Sequence, residues 1–364
     1  MNLTIETVVK GLKQDNKIPL IISGPCSAEN EDQLIETCKA LAKTGKIHVL
    51  RAGIWKPRTK PGSFEGVGSV GLKWLQKAKE ITGLKTTVEV ANTAHVYEAL
   101  KHEVDMLWIG SRTSGNPFSV QEIADSLRGV DTTVLVKNPV NPDVALWEGA
   151  IERIYKAGIT KIGGIHRGFS KYRESKYRNV PQWQIPIELK RRIPELFMIC
   201  DPSHICGNRE LLSEIAQQAL DLNFKGLMIE SHINPSMALS DAKQQLTPEN
   251  LEVMLNNLIV RKEKSSCKKV IDELEQLRDT INVIDEELLD LLSQRMKISD
   301  QIGKHKKRNK ITILQSSRWE EILNKGIETG NQKELNKEFI VKYLTLVHQE
   351  SINRQNKIIN PIRS

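Results

Sequence analysis

Short apolar runs alternate with amphipathic helical stretches along the first 262 residues of the chain. Eight such runs occur, at residues 19–23, 47–50, 86–90, 106–109, 133–136, 161–165, 196–200 and 226–229. Continuous apolar strands separated by helices are typical of a parallel sheet that helices cover on both faces. Eight strands match the closed (β/α)8 TIM barrel, so we predict this α/β fold for residues 1–262. A doubly wound open sheet is the alternative, which is less favoured because no GxGxxG motif follows the first run.

The pattern changes in the last third of the chain. Residues 263–269 are charged and contain serine, which is typical of a linker. From residue 270 to residue 364 the apolar positions follow steps of three and four, which predicts a smaller all-α domain. The series consists of Leu274, Leu277, Ile281, Ile284, Leu288, Leu291, Ile298 and Ile302.

Polar side chains enter two of these helical apolar faces. The position that the rhythm requires between Leu291 and Ile298 holds Arg295, and the apolar face of a helix over 337–358 continues into Ser351 and Gln355. Because a buried cation needs a partner, these positions indicate a polar pocket inside a helical bundle. The alternative is an arginine that reaches solvent from the helix edge.

The spacing of two arginines predicts how this domain assembles. Arg278 and Arg295 are seventeen residues apart in the sequence, which is about 25 Å along one helix. One small ligand cannot contact both within a single helix. If both are functional, a second copy of the chain supplies one of them, so we expect a homodimer through the helical domain with shared pockets.

Reactive or charged side chains follow each of the eight apolar runs. The carboxyl ends of barrel strands form one mouth, where catalytic groups collect, so the sequence predicts a strongly cationic active site there. In chain order these groups are Cys26, Arg51 with the loop from Lys56 to Thr59, Glu89, Arg112, Lys137, His166, Arg167, Asp201, His204 and Glu230.

The residues of the mouth separate into two chemical groups. Arg51, Lys56, Arg58, Arg112, Lys137 and Arg167 are anion-binding side chains. Their number predicts substrates that carry several negative charges. Cys26, His204, Glu230 and Asp241 combine a thiolate, an imidazole and two carboxylates, which suits one divalent metal ion. Mixed S, N and O ligands do not choose between Mn²⁺, Fe²⁺, Co²⁺ and Zn²⁺. A buried Cys26 without a metal, with His204 capping its own turn, is the alternative.

Composition narrows the class of partner. The chain has 364 residues, a net charge of +8 and 5% aromatic residues. The low aromatic content leaves little for stacking nucleic-acid bases, so we favour anionic metabolites over nucleic acid. No apolar run approaches the roughly 18 residues of a membrane span, and no secretory signal is evident. Five cysteines without a CxxC pair favour a reducing, cytoplasmic location.

Five short motifs in the first two-thirds of the chain carry a resemblance to a known family. They are Gly24-Pro25-Cys26-Ser27, Lys56-Pro57-Arg58-Thr59, Gly110-Ser111-Arg112-Thr113, Asp201-Pro202-Ser203-His204 and Glu230-Ser231-His232. Together they resemble the type I 3-deoxy-arabino-heptulosonate-phosphate (DAHP) synthases, in particular the short-barrel beta subgroup. The resemblance implies condensation of phosphoenolpyruvate with erythrose 4-phosphate, the first step of the shikimate pathway. A sister enzyme that uses arabinose 5-phosphate is the alternative, disfavoured by the Lys-Pro-Arg-Thr motif.

The same resemblance implies a role for each matching residue. Cys26, His204, Glu230 and Asp241 hold the metal, for which Mn²⁺ is our first choice, and Lys56 donates a proton between the two substrates. Arg58 and Thr59 bind the phosphate of the aldose. The groups around phosphoenolpyruvate are Arg112, Lys137 and Arg167, supported by Arg51 and Glu89, with His166 placed beside Arg167.

The helical region resembles a second family, the all-helical chorismate mutases. The motifs are Leu277-Arg278, residues 284–289, Gln294-Arg295, Gly303-Lys304-His305-Lys306, Arg318, Ser351 and Gln355. The resemblance implies a pocket lined by Arg278 of a partner copy, Arg295, Lys306, Arg318, Ser351 and Gln355. Lys306 and Gln355 contact the ether oxygen whose bond breaks. Trp319 and Gln315 stand where some members carry acidic side chains, which leaves the mutase activity open.

Both resemblances together predict a bifunctional enzyme. We expect the helical domain to rearrange chorismate to prephenate and to mediate feedback inhibition of the barrel by prephenate or chorismate, since the barrel shows no regulatory segment of its own. The alternative is a helical domain that only dimerises and senses an effector.

Overall fold

The computed structural model describes residues 18–56, 62–172 and 174–361. The chain divides into two compact units between Glu263 and Lys264. The predicted linker, residues 263–269, spans this division and the beginning of the first helix of the second unit. Among the described residues, no helix combines the length and apolar character that a membrane crossing requires.

Eight parallel strands of the first unit close into a barrel, which confirms the predicted fold and excludes the open sheet. The barrel closes because β1 pairs with β8 over its whole length, from Leu20 opposite Gly226 to Gly24 opposite Glu230. The strands are β1 Leu20–Gly24, β2 Val49–Ala52, β3 Lys85–Val90, β4 Met106–Ile109, β5 Thr133–Lys137, β6 Ile162–His166, β7 Phe197–Cys200 and β8 Gly226–Glu230.

Helices surround this barrel. They are α1 Glu31–Lys43, α2 Val70–Thr82, α3 Thr93–Lys101, α4 Ser111–Ser114, α5 Pro117–Ser126, α6 Val144–Lys156, α7 Gln184–Arg192, α8 Pro202–Cys206, α9 Leu212–Asp221 and α10 Pro248–Asn256. Short polar side chains start several of them: Asn30, Asn92 and Asp143 each accept a hydrogen bond from the first turn of α1, α3 and α6.

Side chains alternate between the inside and the outside of the barrel. The inner set is a small apolar cluster that includes Leu135, Ile165, Ile199 and Met228, with Trp108 as its largest member. The outer set packs against the helices and forms the larger core. A period of two along each strand therefore decides whether a residue near the strand end faces the mouth or the helices.

The described part of the second unit is helical, as predicted, with α11 Lys268–Arg308, α12 Ser316–Gln332 and α13 Lys337–Ile359. Only the second half of α11 contributes buried residues, namely Met296, Ser299, Gly303 and Lys306. The first half leaves its apolar positions open to solvent: Leu277 is 63% exposed and Ile281 is 55% exposed. The amphipathic pattern of α11 thus extends beyond the segment that packs against other helices of the same chain.

Candidate active sites

Polar side chains continue the inner face of the barrel strands into the mouth. Arg51, Glu89, Lys137, Asp201 and Glu230 each follow an inward-facing strand residue by two positions, so the alternation directs them inward. Arg51, Lys137, Asp201 and Glu230 are at most 4% exposed. The structure therefore brings these strand-end residues together at the mouth as buried groups.

Opposite charges are paired across the mouth. Lys137 Nζ lies 2.7 Å from Asp201 Oδ2, and Arg51 Nη2 lies 3.3 Å from Glu230 Oε1. Both cations also lie over the Trp108 ring, at 5.0 Å for Arg51 and 5.7 Å for Lys137. Burial opposes ionisation of Asp201, but His204 and Lys137 hold its pKa well below the usual range. These carboxylates and cations are consequently charged and preorganised.

A cluster of metal-ligating groups lies beside these pairs. One donor atom each of Cys26, Glu230 and Asp241 can be chosen so that all three lie within 4.8 Å of one another. Cys26 Sγ is 3.4 Å from Asp241 Oδ2. Glu230 Oε1 is fully buried and makes no hydrogen bond within the described part of the chain. A buried carboxylate oxygen with spare acceptor capacity, beside a thiol and a second carboxylate, fits a divalent cation.

His204 lies at the edge of this cluster. It belongs to α8, whose N-cap Asp201 accepts a hydrogen bond from the His204 backbone N–H at 3.1 Å. The Asp201 carboxylate also lies 2.9 Å from His204 Nδ1, while His204 Nε2 is 3.8 Å from Glu230 Oε1. A carboxylate that orients one ring nitrogen and leaves the other facing the site is the usual support of a ligating histidine. Burial lowers the pKa of His204, so its ring is neutral at pH 7.

Lys56 contacts the cluster directly. Its Nζ donates a hydrogen bond to Cys26 Sγ at 3.0 Å. Gly53 permits this approach, since a Cβ atom there would lie 2.5 Å from Lys56 Cε and 2.1 Å from the Cys26 carbonyl oxygen. Burial and Glu230 raise the pKa of Cys26 to about 12, while Lys56 lowers it. A cation bound here would favour the thiolate form.

Two further predicted anion binders are Arg112 and Arg167, and the charge of Arg112 affects the pKa of Arg167. Burial lowers the pKa of Arg167 to about 10, and the positive charges of Arg178 and Arg112 add to this shift. The Arg167 backbone is held by Asn138, whose Oδ1 accepts its N–H at 2.7 Å. Arg178 is paired with Asp241, whereas Arg112 and Arg167 are the predicted anion binders, and neighbouring positive charges suit a multiply charged anion.

His166 does not share this environment. It is the last residue of β6, next to the inward-facing Ile165, so the alternation sends its ring outward. The ring is fully buried and packs against Trp183 at 5.1 Å and Phe169 at 5.6 Å. Burial lowers its pKa to about 3. This packing favours a core role for His166 and gives no support to a substrate contact, so its predicted substrate role stays a prediction.

Two predicted residues, Arg58 and Thr59, lie outside the described residues. Arg178 and Gln244, which sequence reasoning missed, hydrogen-bond to the carboxylates of Asp241 and Glu230 respectively. Neither stands at a strand end, and no local pattern in the sequence marks them.

The second unit also brings predicted residues together. Arg295 Nη1 donates to Ser351 Oγ at 2.6 Å, and Gln355 Nε2 donates to Ser299 Oγ at 3.2 Å. Gln355 Oε1 is buried and has no hydrogen-bond partner among the described residues. Gly303 allows α11 and α13 to approach, because a Cβ atom there would lie only 3.2 Å from Gln355 Cα. The result is a polar seam between two helices.

A cavity lies beside this seam. It measures about 450 Å³ and is lined by residues that include Lys306, Gln315 and Ile302. Lys306 Nζ donates to the Ile313 carbonyl at 2.5 Å, and burial lowers its pKa. The seam and the cavity offer an ammonium, a guanidinium and an amide, which suits a small dicarboxylate.

Two other residues of the predicted pocket, Arg318 and Arg278, behave differently, as does Trp319 next to Arg318 in the sequence. Arg318 is largely exposed and pairs with Glu321 one turn further along α12, at 2.9 Å. Arg278 lies in the exposed first half of α11. Trp319 stacks on His348 of α13, with ring centroids 4.1 Å apart. Within one copy of the described chain, the contacts therefore join Arg295 to Ser351 but leave Arg318 facing solvent.

Comparison with known proteins relates each of the two units to a known family. Residues 2–265 match the DAHP synthetase I family, and residues 277–356 match chorismate mutase type II. Phospho-2-dehydro-3-deoxyheptonate aldolase of Thermotoga maritima is 30% identical over 263 residues, which cover 72% of this chain and 71% of that protein. A 2-dehydro-3-deoxyphosphooctonate aldolase of Desulfotalea psychrophila is 24% identical and covers 66% of this chain and 88% of that protein.

Solved structures give the same result. The crystal structure of the Thermotoga maritima DAHP synthase superposes with a TM-score of 0.60 at 28% identity, covering 73% of this chain and 71% of that one. A truncated form of the same enzyme gives a TM-score of 0.58 at 26% identity, covering 73% of this chain and 88% of that one. The chain therefore belongs to the DAHP synthetase I family, and it is an enzyme that joins a DAHP synthase barrel to a chorismate mutase type II domain.

Proposed function

We propose that the barrel condenses phosphoenolpyruvate with erythrose 4-phosphate and that the helical domain rearranges chorismate to prephenate. The observation that carries the first half is the mouth itself. Buried cations there stand beside the Cys26, Glu230 and Asp241 cluster, with Lys56 hydrogen-bonded to the thiol. Two polyanionic substrates repel each other in water, and fixed cations offset that repulsion.

Each residue of the mouth has a task in this reaction. Arg112, Lys137 and Arg167 bind the carboxylate and phosphate of phosphoenolpyruvate, while Arg51 and Glu89 hold the walls around Trp108. When bound, a divalent cation supplies Lewis-acid polarisation of the aldehyde oxygen. Lys56 donates the proton that this oxygen takes up as the new carbon–carbon bond forms. Water then adds to the cationic carbon left on phosphoenolpyruvate, and phosphate departs by C–O cleavage.

We propose Mn²⁺ as the ion, held by Cys26, His204, Glu230 and Asp241, with Fe²⁺, Co²⁺ and Zn²⁺ as alternatives. Support comes from the spare oxygen of Glu230 and from Asp201 orienting His204. The test is to measure two quantities for the Cys26→Ser variant: its Mn²⁺ binding and its rate of phosphate release when phosphoenolpyruvate and erythrose 4-phosphate are supplied. Loss of Mn²⁺ binding together with the rate supports the assignment, whereas unchanged Mn²⁺ binding rejects it.

The aldose is erythrose 4-phosphate and not arabinose 5-phosphate, with Arg58 and Thr59 binding its phosphate. The Lys-Pro-Arg-Thr run and the beta-subgroup resemblance support this, although the octulosonate enzyme is a relative too. Supplying each aldose in turn and following phosphoenolpyruvate consumption separates the two.

The helical pocket selects a compact conformer of chorismate. Claisen rearrangement needs no acid, base or nucleophile, so positioned charges suffice. Arg295, held by Ser351, binds a carboxylate, and Lys306 contacts the ether oxygen. The Gln355 amide, when turned over, would present its N–H to that oxygen, and Oε1 would then accept from Ser299 Oγ, which gives up its hydrogen bond to the Ser351 carbonyl. Arg318 reaches the ligand only by leaving Glu321.

A second copy of the chain supplies Arg278. The exposed apolar positions in the first half of α11 support this, since Leu277 is 63% exposed and Leu288 is 47% exposed. Exposed apolar residues in register along several turns are typical of a helix that packs against a partner. We therefore propose a homodimer through this helix.

Prephenate bound in the helical domain slows the barrel. Linkage requires that the ligand favour one arrangement of the enzyme over another. Synthase rates measured at increasing prephenate test this. A rate that stays constant at saturating occupancy of the mutase pocket rejects the proposal.

A helical domain without catalysis is the second candidate. The stacking of Trp319 on His348 favours it, because an aromatic pair stands where an acidic contact to the chorismate hydroxyl is expected. Chorismate depletion by the full chain decides. Turnover supports the mutase, and binding of prephenate without turnover supports the sensor.

A further inference from the structure

Arg178 lies on the segment between β6 and α7 and reaches the loop that follows β8. Its Nη1 donates one hydrogen bond to Asp241 Oδ1 at 3.0 Å and another to Gln244 Oε1 at 2.9 Å. Gln244 is only 1% exposed, while the Arg178 side chain is 47% exposed. A partly exposed guanidinium thus reaches two groups of the buried site at once.

The contact with Arg178 fixes the orientation of the Gln244 amide. Arginine offers donors only, so the amide must turn its oxygen toward Arg178. Its nitrogen then faces Glu230, and Nε2 donates to Glu230 Oε2 at 2.6 Å. One oxygen of Glu230 is occupied in this way. The other, Oε1, is the buried atom that makes no hydrogen bond within the described residues, although it lies 3.3 Å from Arg51 Nη2 in an ion pair.

The Asp241 carboxylate is held in a similar way, through one of its two oxygens. Arg178 holds its Oδ1, and its Oδ2 lies 3.4 Å from Cys26 Sγ. The Asp241 backbone has a φ of 48°, a left-handed conformation that is uncommon outside glycine and that needs support from its surroundings. Each carboxylate therefore has one oxygen held from behind and one oxygen directed at the cluster.

The segment that carries Arg178 is itself tied to the helix that carries His204. The Arg178 backbone N–H donates to the Cys206 carbonyl at 3.2 Å, and Asn179 Nδ2 donates to the His204 carbonyl at 2.7 Å. Gly207 ends this helix with φ at +71°, and a Cβ atom there would lie 2.6 Å from Arg178 Cβ. A side chain at position 207 would displace the arginine.

We propose that Arg178 and Gln244 form a relay that sets which oxygens of Asp241 and Glu230 face the metal ion. They are positioning residues, not ligands. This inference rests on the metal site proposed above. Partners behind the ligands typically change metal affinity by about 10–100-fold when removed, whereas an exposed ion pair contributes little to folding.

The test is Mn²⁺ binding to the full, metal-stripped chain without substrates, followed by calorimetry or by the electron paramagnetic resonance signal of free Mn²⁺. Arg178→Met and Gln244→Leu remove either end of the relay and leave every proposed ligand in place. We expect each to raise the Mn²⁺ dissociation constant at least about tenfold. The apo-protein melting temperature should stay nearly unchanged in Arg178→Met, whose side chain is 47% exposed, and should fall in Gln244→Leu, which leaves the buried Glu230 carboxylate short of a donor. Both single variants interrupt the same chain of hydrogen bonds from Arg178 through Gln244 to Glu230. The Mn²⁺ dissociation constant of the double variant should therefore be little higher than that of the weaker-binding single variant.

Arg209→Gln is the matched control. Arg209 also donates to this loop, through the Ala242 carbonyl at 2.7 Å, but holds no carboxylate. We expect its Mn²⁺ affinity to equal that of the wild type. Equal losses in Arg209→Gln and Arg178→Met would reduce Arg178 to a loop anchor and overturn the relay.

Further results separate this inference from the proposed function. If Arg178→Met is poorly folded, Arg178→Ala replaces it, since alanine also removes the single nitrogen that donates to both acceptors. Wild-type affinity in folded Arg178 and Gln244 variants overturns the relay while the metal site stands. Absence of Mn²⁺ binding by the wild-type chain overturns the metal site, and the relay with it.

Discussion

At the scale of single residues, the mouth depends on buried charges that compensate one another. Asp201 is fully buried and shares its carboxylate between Lys137 and His204. Removing a partner from such a group leaves a desolvated charge, which costs far more than losing a pair at the surface. The same neighbours that stabilise the apo-protein hold the carboxylates in the ionised form that a cation requires.

Lys137→Met tests this compensation. We expect the free energy of unfolding to fall by about 3 kcal/mol, because the variant leaves Asp201 short of its closest cation. Lys161→Met is the control, since Lys161 pairs with the largely exposed Asp131 and its loss should cost under about 1 kcal/mol. Denaturant unfolding at pH 7 measures both. Equal losses in the two variants would contradict the role of burial.

His166 gives a prediction about acid stability. Burial lowers its pKa to about 3, whereas an imidazole in the unfolded chain titrates near ~6.5. Between these values the unfolded state binds a proton that the folded state lacks, so stability is complete above pH ~6.5 and is lost as the pH falls toward ~3.

The His166→Phe variant should therefore lose less stability on acidification than the wild type. We expect the difference in slope to reach ~1.4 kcal/mol per pH unit between about pH 6 and about pH 4. Unfolding titrations at several pH values measure it. The variant should also keep synthase activity, and a loss like that of His204→Phe would support the predicted role of His166 in substrate binding.

At the scale of elements, the sequence predicted the strands well and the side-chain directions only in part. Continuous apolar runs identify strands buried on both faces, and β6 was expected at 161–165 and lies at Ile162–His166. The alternation of inward and outward side chains along β6 also distinguishes Arg167 from His166. This difference is lost when residues are selected only because they follow a strand. Arg178 could not be found this way, because its role comes from contacts between distant loops.

Helix packing in the second unit depends on a small residue. Gly303→Ala should destabilise the helical unit by about 1 kcal/mol and lower chorismate turnover, because the added methyl group presses on the backbone at Gln355. Gly149→Ala in α6 is the control. No heavy atom lies within 4 Å of a Cβ atom there, so that change should stabilise its helix by up to about 1 kcal/mol. Parallel unfolding curves and mutase assays compare them, and a neutral Gly303→Ala would contradict the close approach.

At the scale of the whole molecule, the exposed face of α11 predicts association. Ile281→Glu combined with Leu288→Glu places charges on that face, and we expect the dimer to dissociate to monomers and chorismate turnover to fall with it. Phe118→Glu, at an apolar residue that is 82% exposed on α5, should leave the assembly unchanged. Sedimentation velocity measures the mass. A double variant that stays dimeric would show that another surface joins the copies.

The joining of a first-step enzyme to a later mutase is the other feature at this scale. The family matches cover 2–265 and 277–356, so one chain holds both chemistries. The cations of the mouth and of the helical pocket serve small anions with different charge arrangements. The proposed inhibition of the barrel by prephenate depends on both units, so it follows from neither unit's residues alone.

The central claim is that the barrel condenses erythrose 4-phosphate with phosphoenolpyruvate at a metal held by Cys26, His204, Glu230 and Asp241. Phosphoenolpyruvate consumption by the metal-stripped chain tests it most directly, with erythrose 4-phosphate or arabinose 5-phosphate, before and after Mn²⁺ is restored. We predict consumption with erythrose 4-phosphate alone, and only once Mn²⁺ returns. Activity that survives rigorous stripping, or that requires arabinose 5-phosphate, would contradict the account.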